Sequence, residues 1–486
     1  MRLHTLVAAT GLALVLAGCA SSGGLHPEGT LTDPASLHAE RSLSKGSVTP
    51  AAWPAADWWT GLGDSQLNAL IDEALKNNPD LASVDARARQ AQAQAGSADA
   101  ARSPKLNAGA SVAGARLPNS LIPEPVGGHF SWAKYGYASF SWDLDVWGGK
   151  RDAWEAAVGT AHASEIDARA ARIELSANVA RAYSQLGYAY AQLDVAQAEL
   201  DRSKASRDLT RQRVAAGVDN QITLKQGDGE VASAEGEVAV AERAIDSARS
   251  SLSVLLGKGP DRGLDIARPA PLNPAAVAVP STVPADLLGR RADLVAARWR
   301  VEAASKDIAS AKTEFLPNIS LGAMAALASG GSNGLFSSRD RFYEVAPAVS
   351  LPIFDGGRLR SNLASKDAEY DLAVAQYNKT LVGALNEVAD DLSGLDSMTT
   401  QIDAQQRAQN AAQQAYDLSQ QRYKAGVGSY LESLSVRQQL LIAEQRMAAL
   451  RAQQVDLSVQ LIQALGGGFR PEAGDLPVAS AAPVNN

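Results

Sequence analysis

Two carboxylates stand beside glycine turns, where their type and position could support chemistry. Asp219 follows Gly217 by two residues, and Glu432 follows Gly426 by six. If several copies of such a carboxylate converge, the like charges raise one another's pKa and select cations. Glu432 also has a second interpretation, because Ser429 lies three residues before it and the two match the capping box that starts a helix. Both interpretations stay open at the level of the sequence.

The other polar residues do not indicate enzyme chemistry. No two histidines stand at metal-ligand spacing; they are His4, His26, His38, His129 and His162. The Gly-Lys pairs at 149–150 and 257–258 lack the upstream glycine and the following serine or threonine of a phosphate-binding loop. We therefore predict a protein that is not an enzyme and that uses no cofactor or metal.

The N-terminus has the features of a bacterial secretion signal. The apolar stretch 6–16 is too short to span a bilayer and ends in Leu-Ala-Gly-Cys at 16–19, which resembles a lipobox. We predict that residues 1–18 are removed and that Cys19, the only cysteine, becomes the lipidated N-terminus. Ala20 after the cysteine fits sorting to the outer membrane. The alternative is an ordinary signal peptide with an incidental cysteine.

Length and charge narrow the class of protein. A chain of 486 residues is long enough to bury a substantial core. The net charge of −8 and the isoelectric point near 5.3 argue against a nucleic-acid partner, since no basic block is present to meet phosphates. No segment after the signal peptide is long and apolar enough to predict a membrane helix.

The elements that must position these residues form an internal duplication. The stretch 372–465 predicts a long helix, a glycine turn and a returning helix, and the same pattern occurs earlier in the chain. Twelve residues recur 209 positions later, among them Asp208 as Asp417 and Glu235 as Glu444. Apolar residues at alternating steps of four and three mark one face of each long helix: Leu175, Val179, Ala182, Leu186, Ala189, Leu193, Ala196 and Leu200, then Leu381, Leu385, Val388, Leu392, Leu395, Thr399 and Ile402.

Each repeat also carries two segments that alternate as strands do. These lie at 105–116 and 136–146 in the first repeat, and at 318–329 and 342–353 in the second. Each has about ten to twelve residues, which is the length that a tilted strand needs to cross a membrane.

The predicted organisation follows from these elements. The segments are a signal peptide (1–18), a lipidated extended segment (19–63), a first repeat (64–258), a proline-rich connector (259–285), a second repeat (286–467) and a disordered tail (468–486). In the first repeat we predict helices at 64–103, a long helix at 149–216 and a return helix at 220–257. In the second we predict helices at 286–315, 357–425 and 429–465.

Four strands cannot close a barrel, and lipid does not tolerate open sheet edges. The chain must therefore pool its strands with other copies. Two copies would give eight strands and a filled interior, whereas three would give twelve strands and a lumen. We predict a mainly α fold with a membrane β-barrel, in which three chains form a 12-stranded barrel continuous with a long α-helical barrel. Such an architecture is a conduit.

Several motifs together resemble the TolC-like outer-membrane factors, and the lipobox points to their NodT-type efflux lipoproteins. The resemblance covers nearly the whole mature chain. Its motifs are Trp58-Trp59 before Leu67 and Leu70, the segments 284–291 and 351–358, and the turn 422–432. Two positions depart from the family pattern: Ala292 stands where relatives usually carry proline, and Ser435 where they often carry an acid.

The resemblance implies an outer-membrane exit duct for small molecules in a Gram-negative bacterium. It implies a homotrimer joined by a periplasmic adaptor protein and an inner-membrane exporter of the RND type. The turns lie farthest from the strands, so we expect them to form the periplasmic tip that contacts the adaptor through Gly217, Val218, Gly426, Val427 and Gly428. The candidate aperture residues are Glu432, Asp219 and Ser435.

Two other functions are compatible with parts of the sequence. An outer-membrane duct for type I protein secretion would need the same architecture with a different inner-membrane partner. A periplasmic coiled-coil scaffold lipoprotein would explain the heptads and Cys19, but not four alternating strands placed identically in two repeats. Ion conductance in a planar bilayer separates a duct from a scaffold.

Overall fold

The computed structural model describes residues 23–38, 41, 53–116, 118–121, 123, 127–274, 289–330 and 341–476. Three predictions lie outside the described residues: the signal peptide, the lipidated Cys19 and the tail after residue 476. The same holds for residues 275–288, where the connector was predicted to end and the second repeat to begin.

Long helices dominate the described chain, and four strands interrupt them. In order these elements are α1 (Ser65–Asn77), α2 (Pro79–Ala100), β1 (Lys105–Arg116), β2 (Phe130–Leu144), α3 (Gly149–Ala215), α4 (Gln221–Leu255), α5 (Asp261–Leu264), α6 (Ala292–Thr313), β3 (Asn318–Gly330), β4 (Arg341–Ser350), α7 (Arg358–Lys424) and α8 (Tyr430–Ala464). Short 3-10 turns at Pro34–Ser36 and Trp58–Leu62 precede α1.

The helix starts follow from capping side chains. Asp64 accepts hydrogen bonds from the amides of Gln66 and Leu67, which begins α1. Asn78 caps α2 in the same way, with Pro79 at the first helical position, so α1 and α2 are the two helices predicted within 64–103. Asp145 and Asp355, 210 residues apart, each accept two backbone amides at the start of a long helix.

The four strands form one antiparallel sheet in the order β1-β2-β3-β4. The pairing of β2 with β3 joins the two repeats, with a register that runs from Ala133 opposite Gly330 to Leu144 opposite Ile319. β1 and β4 are therefore the edges, and each has a strand of the described chain on one side only.

Three strand boundaries differ from the predictions by two or more residues. The second strand begins at Phe130 rather than 136, because β2 pairs with β1 along its whole length, as far as Phe130 opposite Arg116. It ends at Leu144 because Asp145 turns to cap α3. The fourth strand ends at Ser350 rather than 353, just before Pro352, which has no amide hydrogen to donate to a sheet.

The core lies between the helices. The largest buried cluster joins α1, α3 and α4, and Ile71, Tyr183 and Leu252 are among its fully buried members. The heptad face of α7 packs on α8, where Leu385 and Leu392 belong to a cluster with Leu461 and Leu465. Small residues line much of these contacts, so the helices approach closely. Within the described ranges, every helix is either too short or too polar to cross a bilayer.

The two ends of the described chain are bound to this helical body. Residues 23–38, which we call the strap, run beside α7, and the amides of Glu28 and Gly29 donate to Asp371 at 2.9 and 2.6 Å. The tail was predicted to be disordered from residue 468, and this is wrong for 468–476. Phe469 is buried, and Asp475 pairs with Arg169 at 2.7 Å.

Candidate functional site at the helical turns

Each long hairpin turns through a glycine that adopts a left-handed backbone. Gly217 has φ +73° and Gly426 has φ +77°, a conformation that favours glycine. In both turns an amide reaches back to the end of the preceding helix. Val218 donates to the carbonyl of Arg213 at 2.9 Å, and Val427 donates to that of Arg422 at 3.1 Å. The duplication thus holds down to individual hydrogen bonds.

Gly428 has a different requirement for glycine. Its amide donates to the Arg422 carbonyl at 3.1 Å, and a Cβ at this position would lie 3.0 Å from the Cβ of Arg422. The close approach of the two backbones leaves little room for a side chain, although φ is not positive here.

The turns present apolar side chains to solvent. Val218 is 60% exposed and Val427 67% exposed. Ile222 and Leu431, in the first turn of the returning helices, are also exposed. An apolar patch that is uncovered at the end of a long hairpin is the kind of surface that a protein partner covers.

Asp219 lies in a network that ties the two turns together, which we call the latch. Its carboxylate accepts hydrogen bonds from Arg213 Nε and from the Tyr423 hydroxyl, both at 2.8 Å. Arg213 also donates to the Tyr423 carbonyl at 2.9 Å, and its guanidinium lies 4.5 Å from the centre of the tyrosine ring. The Thr210 hydroxyl lies 3.0 Å from that of Tyr423. The latch therefore joins the ends of α3 and α7.

The electrostatics of the latch favour its charged form. The hydrogen bond from Arg213 holds the pKa of Asp219 below its ordinary value, with a smaller contribution from Tyr423. Burial raises the pKa of the Tyr423 phenol, and Asp219 adds to this effect. An Asp with a depressed pKa contributes stability above its unfolded pKa and loses it as pH falls through the folded pKa, so the latch is intact at neutral pH.

Glu432 and Ser435 are not part of this network. The Ser429 hydroxyl accepts from the Glu432 amide at 3.1 Å, so Ser429 caps α8 as the capping box predicts. The Glu432 carboxylate is exposed and lies 3.4 Å from Arg422 Nε. Among the described residues the Ser435 side chain makes no hydrogen bond, and it is exposed. Of the three candidate aperture residues, the structure joins only Asp219 to both hairpins.

Sequence reasoning missed Arg213, Tyr423 and Thr210 as functional residues. Arg213 was visible only as a repeat match, and Tyr423 only as part of the second turn. A basic residue six positions before Asp219 was a usable signal, because that spacing spans the turn. No comparable signal connected either residue to Tyr423, which is 210 positions from Arg213.

A buried group of charges lies farther from the turns and joins α8 to the first hairpin. Arg437 is 3% exposed and binds Glu199 of α3 at 2.9 Å and Glu230 of α4 at 2.8 Å. Arg202 of α3 binds Glu199 at 3.1 Å and Glu444 of α8 at 2.6 Å. Since a buried charge without a partner is very costly, these pairs fix the axial register of α8 relative to α3.

Asp391 of α7 is buried without such a partner. It is 9% exposed and makes no hydrogen bond or ion pair among the described residues. Burial raises its pKa to about 6, and the neighbouring acids Asp390, Glu387 and Asp456 add to the effect, while Arg181 opposes it. In the part of the chain that the structure describes, no three side chains come together as metal ligands would.

Comparison with known proteins agrees with this architecture. A small sheet on two long, duplicated helical hairpins is the fold of outer-membrane channels. The crystal structure of the outer membrane protein VceC from Vibrio cholerae superposes with a TM-score of 0.79 at 34% identity, covering 86% of this chain and all of that one. The resemblance to TolC-like outer-membrane factors is thus confirmed.

The sequence itself defines the family. The protein-family model described as "Outer membrane efflux protein" matches residues 70–258 and 283–467, which correspond to the two repeats. The chain belongs to the outer membrane efflux protein family, and its location is the outer membrane. It is 38% identical over 371 residues to the fusaric acid resistance protein FusA of Burkholderia cepacia, covering 74% of this chain and 69% of FusA. It is 30% identical over 464 residues to the probable outer membrane lipoprotein SilC of Salmonella typhimurium, covering 94% and 97%.

Proposed function

We propose that three copies of this chain form the passive exit duct of a tripartite efflux pump. The duct takes small toxic molecules from a periplasmic adaptor and an inner-membrane exporter of the RND type and releases them outside the cell. Small-molecule cargo is supported by the name of the similar FusA, a fusaric acid resistance protein. The chain itself does no chemistry on the cargo.

The main support for a trimer is that, within the described residues, the four-stranded sheet of one chain is open at both edges. Strands β1 and β4 each have one unpaired edge in the described chain, and unpaired backbone groups are costly in lipid. Pairing β4 of one copy with β1 of the next removes both edges. Three copies then give twelve strands, which enclose a lumen, whereas two would give a filled barrel.

The apolar turns support contact with the adaptor. Val218 and Val427 are exposed at the ends of the two longest hairpins, beside Gly217, Gly426 and Gly428. The latch lies directly behind them, so a partner that covers the turns is positioned to pull it apart. We infer that adaptor contact and opening of the aperture are coupled through Asp219, and that the three copies of Glu432 add negative charge at the same end.

The strap supports lipidation of Cys19. Gly23, at the start of the described strap, lies beside Arg360 in the first turn of α7, just after the sheet. The four residue-to-residue steps from Cys19 to Gly23 span at most about 14 Å when extended. A lipid on Cys19, such as a palmitate-containing anchor, therefore reaches the membrane next to the sheet, and the barrel and the lipid anchor the protein together.

Site-specific crosslinking in cells tests the adaptor contact. A photoreactive residue at Val218 or Val427 is expected to capture a periplasmic partner, and the same residue at Ser111 in β1 serves as the control. Identification of the captured protein decides between the functions: an adaptor encoded beside an RND exporter supports efflux, and one encoded beside a secretion ATPase supports protein secretion. Capture from Ser111 alone would mean that the turns are not the contact.

A further inference from the structure

Within one chain, α8 packs antiparallel on α3, and this contact has a defined register of charges. Glu444 of α8 meets Arg202 of α3 at 2.6 Å, and Arg437 meets Glu199 at 2.9 Å. We call this contact the inner seam.

The outer faces of α4 and α7 have no such partner within the described chain. Glu235 on α4 and Arg407 on α7 are both exposed, and neither makes a hydrogen bond or ion pair with any described residue. Arg407 is the only basic residue between Lys379 and Arg422, a stretch of α7 that carries several acids. Two unpaired charges of opposite sign thus stand on the two open faces of the helical layer.

The internal duplication indicates which helices cover these two faces. A shift of 209 residues converts α8 into α4 and α3 into α7, as in the pair Asp208 and Asp417. The contact of α8 with α3 inside one chain therefore has an equivalent between α4 of one copy and α7 of the next, which we call the outer seam. Because the two repeats have the same fold, the outer seam inherits the register of the inner one.

That register brings the two unpaired charges together. Glu444 becomes Glu235, and its partner Arg202 becomes Ala411. Arg407 lies four residues before Ala411, which is about one helical turn, so its long side chain lies on the same face of α7. The positive charge of Arg202 in the inner seam is thus replaced in the outer seam by that of Arg407, one helical turn away.

We propose that Glu235 of each copy pairs with Arg407 of the partner subunit, and that this pair sets the register of the outer seam. The inference rests on the proposed assembly of three copies. An exposed ion pair adds little affinity, but a like charge at the same place is unfavourable, so three equal pairs in a closed ring select the correct alignment of neighbours.

A charge exchange in the full-length protein tests the pair. Glu235→Arg and Arg407→Glu, each alone, place like charges at the outer seam and are expected to speed dissociation of the detergent-extracted trimer about tenfold. The double variant restores the attraction and is expected to return to the wild-type rate. Glu237→Arg is the matched control, because two residues further on the side chain points to another side of α4; it is expected to leave the rate unchanged.

The outcomes separate this inference from the proposed function. If the wild-type protein is a monomer by native mass, both fail. If it is a trimer and the double variant dissociates as fast as the single variants, or Glu237→Arg weakens it equally, the pair is refuted while the duct stands. Rescue by the double variant alone supports the outer seam.

Discussion

The latch makes a quantitative prediction for Tyr423→Phe. The change removes one hydroxyl of a buried tyrosine, which donates to the partly buried Asp219 carboxylate at 2.8 Å. A hydrogen bond to a charged group contributes about 1.5–3 kcal/mol. The Arg213–Asp219 pair remains, so the turns stay folded while their connection weakens. The free-energy change corresponds to an increase of about 10- to 100-fold in the ratio of open to closed tips.

Single-channel recording measures this ratio directly. Purified Tyr423→Phe protein in a planar bilayer is expected to spend a larger fraction of time open than the wild type, with the same conductance when open. Tyr430→Phe is the matched control, because it removes a hydroxyl from the same buried cluster, with ring centres 5.9 Å apart, without touching Asp219. If Tyr423→Phe lowers the unfolding temperature but leaves the open fraction unchanged, the latch is only a structural contact.

Three further predictions concern other parts of the chain. Asp391 has a raised pKa, so its contribution to stability is present below its unfolded pKa and is lost as pH rises through about 6. Asp391→Asn is therefore expected to raise the free energy of unfolding at neutral pH by about 1–3 kcal/mol per chain, seen as a higher unfolding temperature, and to leave both unchanged near pH 4. An equal pH dependence in both proteins would contradict this. Cys19→Ser is expected to abolish incorporation of labelled palmitate while the sheet still inserts, and retained label would refute lipidation. Glu432→Gln is expected to reduce cation preference in planar bilayers with little change in unfolding temperature, because the carboxylate is exposed and Ser429 still caps α8; wild-type selectivity would exclude a charged ring.

The sequence predicted the helices and the sheet well because their signals are local and occur twice. Heptad spacing, capping residues and glycine turns each act over a few residues, and the duplication repeats them. The beginning of β2 was missed because Phe130 and Trp132 follow a loop rich in glycine and proline. Only the register, in which Phe130 pairs with Arg116 and Trp132 with Gly114, shows that they belong to the strand.

The latch could not be predicted because it depends on contacts between distant parts of the chain. Asp219 and Glu432 have equal claims in the sequence, since each is a carboxylate beside a glycine turn. Packing distinguishes them, because α3 and α7 end side by side and place Tyr423 against Asp219. The burial of Asp391 is of the same kind, since nothing in its neighbourhood in the sequence separates it from the exposed Asp390.

If three chains enclose one continuous duct, the native mass and the conductance of a single sample must agree. The wild-type protein is purified in detergent, its native mass is determined, and the same sample is reconstituted into a planar bilayer. We expect a mass of three chains and discrete conductance steps, one for each trimer inserted. A monomeric or dimeric mass, or a trimer that never conducts even with Tyr423→Phe, would contradict a duct of three chains.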